Sequence, residues 1–124
     1  MLTPDIMQLA QNSALHAAAR QGVISTNIAH ADTPGYRARV LPEFGAMMRG
    51  FEPLRATRPG HLSSDGHVSA QARPERAPAT QKPNGNTVSL EHQMMQAARA
   101  RLDHETALSV YSSARNILRA SLGR

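Results

Sequence analysis

The chain has 124 residues, a net charge of +5, no cysteine and a hydrophobic content of 40%, below the roughly 45–50% of compact globular domains. Such a chain fits one domain, is poorly supplied for a large self-contained core, and excludes disulfides and thiolate metal sites. No run approaches the roughly 18 apolar residues that a membrane span needs, and the beginning of the chain lacks the apolar region of a cleaved secretory signal, so neither is expected.

Thr3-Pro4-Asp5 is a helix start, with Thr as N-cap, Pro at the first helical position and an acid in the first turn. Beyond it, residues 3, 7, 10, 14, 17, 21, 24, 28 and 31 alternate steps of four and three and read Thr, Met, Ala, Ala, Ala, Gln, Ile, Ile, Ala. This is a heptad seam of small residues that suits close approach by a partner helix and ends in the stronger pair Ile24 and Ile28. Between Asp5 and Asp32 the only formally charged side chain is Arg20, whereas the surface helix of a lone domain normally keeps one charged face. A helix with so little charge is expected to be covered on most sides. Asn27 lies beside the seam, where a buried amide would set helix register.

Pro34 disfavours helical geometry at Thr33, so the helix is expected to end near there. Thr33-Pro34-Gly35-Tyr36 then fits a type II turn, with Gly supplying positive φ at the third position.

Residues 37–86 hold six of the eight prolines and five of the eight glycines, which argues against long regular elements. Seven arginines and Lys82 there face only Glu43, Glu52, Asp65 and Glu75, so the basic character sits in the middle of the chain. A short helix is expected at Glu43 to Met48. The segments around Asp65-Gly66 suggest a small hairpin, and residues 71–86 read as an extended or disordered linker.

A second long helix opens after Pro83-Asn84-Gly85-Asn86, with Thr87 or Ser89 as cap, and runs to about Leu122. Its last third carries two adjacent apolar seams, 107/110/114/117/121 and 108/111/115/118/122. One partner helix fills one seam, so this width implies neighbours on more than one side. The candidate packing residues are Ile24, Ile28 and Ala31 on the first helix and Met95, Leu102, Leu108, Tyr111, Ile117, Leu118 and Leu122 on the second. The expected fold is mainly α: two long terminal helices pairing as a coiled coil, joined by an irregular Pro/Gly/Arg-rich middle with a small β-hairpin. The divisions are 1–36, 37–86 and 87–124, with one structural domain made from both ends.

The residues offer no catalytic constellation. His16, His30, His61, His67, His92 and His104 show no ligand spacing on one helix face, and neither a Gly-x-Ser-x-Gly elbow nor a Gly-rich phosphate loop is present. No enzyme activity, metal, cofactor or small-molecule substrate is therefore expected. The alternative reading is a nucleic-acid-binding helical protein that uses the basic middle, although neither long helix presents a basic face.

Asn27-Ile28-Ala29 and Thr33-Pro34-Gly35-Tyr36, with Asp32 between them, resemble the signature Asn-Ile-Ala-Asn-x-x-Thr-Pro-Gly-Tyr that ends the N-terminal helix of bacterial flagellar rod and hook proteins. His30 replaces the usual Asn. Arg58-Pro59-Gly60-His61-Leu62, Gly85-Asn86-Thr87-Val88-Ser89-Leu90-Glu91 and the stretch from His104 onward resemble the short members of that family found in the proximal rod. The resemblance implies a structural subunit exported through the flagellar type III apparatus without signal cleavage. It also implies assembly in the periplasmic rod with copies of itself and with the export gate, FliE and FlgC.

Overall fold

The computed structural model describes residues 5–49, 70–76, 78 and 80–123. Its elements are α1 (Asp5–Ala29), β1 (Arg39–Val40), α2 (Phe44–Arg49), β2 (Arg73–Pro74) and α3 (Leu90–Ser121). At about 1.5 Å per residue the two long helices span roughly 37 and 48 Å. The architecture is mainly helical, as the periodicity predicts, with α1 and α3 packed along one another. They run antiparallel: Asn27 meets Gln93, whereas Arg20, earlier in α1, reaches Gln96 and Asp103, later in α3.

The seam between them is built from small side chains at heptad spacing. Ala10, Ala17, Ile24 and Ala31 are buried on the α1 side and Gln93, Ala100 and Ala107 on α3, each set seven residues apart. With alanine at most of these places the helix backbones approach closely, and each contact buries little more than a methyl group. In α1, Arg20 and Asn27 turn toward this interface, while Gln21 is exposed and Ile28 is 39% exposed. The cause is a second neighbour: α1 packs against the returning chain at residues 38–41 as well as against α3, and a seam drawn for one partner helix does not include it.

α1 ends at Ala29, four residues before Thr33. His30, Ala31 and Thr33 then donate to the carbonyls three residues earlier, tightening the exit into successive short turns. α3 begins at the N-cap Ser89, whose Oγ accepts from His92 N–H at 3.5 Å, and carries Glu91 in its first turn. Thr87, the other candidate cap, accepts Ala38 N–H on its Oγ1 instead. α3 ends at Ser121, with Leu122 as C-cap and Gly123 just beyond it at a φ of +73°.

Arg39 pairs with Pro74 and Val40 with Arg73 in an antiparallel two-stranded sheet. Pro74 has no N–H to give, a loss that a two-residue edge tolerates. The hairpin expected around Asp65-Gly66 lies outside the described residues. α2 falls where the short helix is expected and is tied to α1 by His16, whose Nε2 lies 2.7 Å from Pro42 O and whose ring tilts against Phe44. A carbonyl oxygen only accepts, so Nε2 carries the proton. Residues 80–86, the last part of the stretch 71–86 read from sequence as an extended or disordered linker, lie with Thr87 and Val88 against residues 30–38.

Candidate functional site

The Pro-Gly turn and the approach to α3 form one polar junction. Gly35 has a φ of +72° and Tyr36 N–H donates to Thr33 O at 3.3 Å, as the predicted type II turn requires. Gly35 N–H in turn donates to Asn84 O at 2.9 Å and Thr87 N–H to Tyr36 O at 3.1 Å, so the turn lies along residues 84–87 as an irregular pair of strands. Gly85, at φ +83°, passes so close that a Cβ there would sit 3.4 Å from Gly35 Cα.

Asn27 is 1% exposed and its amide is saturated. Nδ2 donates to Arg39 O at 2.8 Å and to Gln93 Oε1 at 3.1 Å; Oδ1 accepts from Arg39 N–H at 3.0 Å and from Tyr36 O–H at 3.1 Å. An amide has two donors and two acceptor lone pairs, and all four are used. The side chain thus grips both backbone groups of Arg39 while holding α3 through Gln93.

Asn86 is 0% exposed and plays the matching part from the other side. Its Nδ2 donates to His30 O at 2.9 Å and to Thr33 O at 2.8 Å, and its Oδ1 accepts Val88 N–H at 2.8 Å. Lys82 Nζ donates to Ala31 O at 3.0 Å, placing a positive charge at the negative end of the α1 dipole. Together Asn86 and Lys82 hold the turns that follow α1: Lys82 caps Ala31 O, and Asn86 gives a second hydrogen bond to His30 O and Thr33 O, which also accept Thr33 N–H and Tyr36 N–H. Beneath them Ala31, Ala38 and Val88 form a small apolar cluster against Tyr36.

His30 fills the place of the family's usual Asn. Its Nδ1 lies 3.2 Å from Thr33 Oγ1 and its ring stacks on Tyr36 with centroids 4.7 Å apart. Nδ1 is attached to Cγ, as the terminal atoms of an Asn side chain are, so the imidazole reaches a polar partner at the same bonded distance from the backbone and adds a ring contact.

The signature residues are brought together at this junction. Asn27, Thr33, Gly35 and Tyr36 make the contacts above, while Ala29, Asp32 and Pro34 lie on its exposed rim with Ile28. The candidate packing residues divide differently: Ile24 and Ala31 are buried within the chain, Tyr111 is half-buried, and Met95, Leu102, Leu108, Ile117, Leu118 and Leu122 remain exposed. In the last third of α3 the least exposed residues are Ala107, Tyr111 and Ala114, a track that takes members from both predicted seams and leaves the flanking apolar residues exposed.

Sequence reasoning missed the roles of Lys82, Asn86 and Thr87 and the inward turn of Arg20, which pairs with Asp103 at 3.3 Å and with Gln96. The signals were a lone charge in a neutral helix and the Asn-Thr-Val-Ser stretch ahead of α3. Among the described residues no group of three or more His, Asp or Glu is placed to hold a metal, and no helix is long and apolar enough to cross a membrane.

An extended helix pair whose buried polar groups are used to hold helices and turn together is a structural module. No protein-family model matches the chain. It is 34% identical over 116 residues to the flagellar basal body rod protein FlgB of Salmonella typhimurium, covering 83% of each chain. It is 33% identical over 113 residues to FlgB of Escherichia coli K12, with 82% of each covered, and 33% identical over 94 residues to FlgB of Cereibacter sphaeroides, with 73% of each covered. The chain belongs to the FlgB family of flagellar basal body rod proteins.

Proposed function

We propose that this chain is a structural subunit of the proximal rod that assembles by helix packing with copies of itself and with FlgC, FliE and the export gate, and transmits torque through the rigidity of that packing. One observation carries the reading: after α1 and α3 have packed together, α3 still exposes large apolar side chains along its flanks, with Ile117 at 70% and Leu122 at 69%. Contiguous apolar surface of this kind marks protein contacts. The outward residues of α1 from Ile6 to Ala29 are uncharged, so a neighbour packs there without desolvating a charge.

On this reading the subunit works in the periplasm, reached through the flagellar export route without signal cleavage, and it carries out no chemistry. Ile28→Asp and Ile117→Asp each place a carboxylate on an exposed apolar flank. The expected result is loss of motility and of rod assembly, with helicity of the purified chain unchanged. Normal motility in both variants would sink the packing assignment.

A further inference from the structure

We infer that the ribbon of β1 and β2 carries a docking site for an extended acidic segment of a different basal-body protein, held by the guanidinium groups of Arg37, Arg39 and Arg76. Ala38 is 1% exposed while Arg37 and Arg39 on either side of it are exposed, so the alternation of an extended chain turns both arginines to the same side. Pro74 pairs with Arg39, and Arg76, exposed and two residues beyond Pro74, falls on that side as well. Glu75 between them is turned the other way, where its Oε1 lies 4.0 Å from His92 Nε2 on α3. Among the described residues no carboxylate pairs with any of the three arginines. Arg39 donates to Ala72 O at 2.9 Å, which uses one of its N–H groups and leaves the others for a ligand.

The chemistry narrows the occupant. A guanidinium binds a carboxylate through two parallel hydrogen bonds, and residues two apart on an extended chain stand about 7 Å apart, so Arg37 and Arg39 match carboxylates at alternate positions of an extended segment. Side chains make this match. Pro74 has no N–H and Ala72 O already accepts from Arg39, so the outer edge of β2 is a poor template for a further strand. A second copy of this chain does not supply the segment: its only carboxylates two apart are Asp103 and Glu105, which lie on a helix, face different ways and pair with Arg20 and Arg101. Nucleic acid fits less well, because Tyr36, the aromatic residue beside the ribbon, is occupied by His30 and Asn27 rather than open to a base. The inference rests on the reading of the chain as a rod subunit and concerns a surface other than the apolar flanks of α1 and α3.

The test uses basal bodies isolated from cells that carry Arg37→Lys, Arg39→Lys or Arg76→Lys, made singly so that one variant that fails to assemble leaves two. Each keeps the charge and places a primary amine on the face; a carbodiimide joins that amine to a carboxylate in contact with it, and mass spectrometry reads the joined residues. The expected product links the introduced amine to an Asp or Glu of another protein that has a second Asp or Glu two positions away. Joining only to carboxylates of this chain, or no joining at all, overturns the inference, and a nuclease-sensitive product overturns it in favour of nucleic acid. Arg73→Lys, one residue along β2 and so on the opposite face, is expected to give less than about a third of that yield. An equal yield there overturns the assignment of the face. Immunodetection of the parent subunit in the same basal bodies separates the two readings: its absence sinks the rod assignment, whereas its presence without the expected link sinks this inference alone.

Discussion

At the Ala29/Leu90 end of the helix pair the chain is closed by buried amides whose hydrogen bonds are made within the subunit; at the Asp5/Ser121 end it stops with Ile117 and Leu122 in solvent. The two ends share a backbone geometry and differ in the chemistry of their side chains. Polar groups at the closed end are directional, so they fix one register and one turn and leave little to adapt. Apolar flanks at the open end are non-directional and gain from any surface that removes them from water. The family signature falls at the closed end. Its Asn27, Thr33, Gly35 and Tyr36 therefore hold the chain to itself and set the shape from which the apolar flanks project.

The contrast is broken most severely at Asn27. Asn27→Leu removes four hydrogen bonds and leaves the Arg39 peptide, Tyr36 O–H and Gln93 without this partner, for an expected loss of about 3 kcal/mol in urea-unfolding free energy. A loss below about 0.5 kcal/mol would show that the network adds nothing net.

Gly35→Val tests the turn alone. A Cβ there meets no atom within 4 Å, so the cost is conformational, about 1–2 kcal/mol for an L-residue held at positive φ. Unchanged thermal stability would contradict the left-handed conformation. The smallest effect is expected at the open end, where Leu122→Ser should shift monomer stability by less than about 0.5 kcal/mol. A larger shift would mean that the α3 terminus is already packed in the free subunit, removing the contrast between the ends.

Much of the fold was legible in sequence because it is local. The two long helices, expected from Thr3 to near Thr33 and from Thr87 or Ser89 to about Leu122, and the Gly35 turn each depend on residues within about four positions of one another, and periodicity reports such spacings well. Arg20 shows where that reading ran out: its lack of charged neighbours in α1 was visible, but its partners Gln96 and Asp103 lie 76 and 83 residues away.

By itself, the sequence determined two long helices with small-residue faces, a Pro-Gly turn after the first and a basic, irregular middle between them. Those properties reside in dihedral preferences and side-chain spacing along one strand of chain. Only the tertiary structure decided that Asn27 rather than Ile28 turns into the core, that α3 buries Ala100 and Ala107 while Leu102 and Leu108 stay exposed, and that Asn86 donates to the carbonyls of His30 and Thr33. Each depends on a second neighbour, and which side of a helix is buried is set by everything packed on it, whereas a periodic pattern records only the spacing of its own residues.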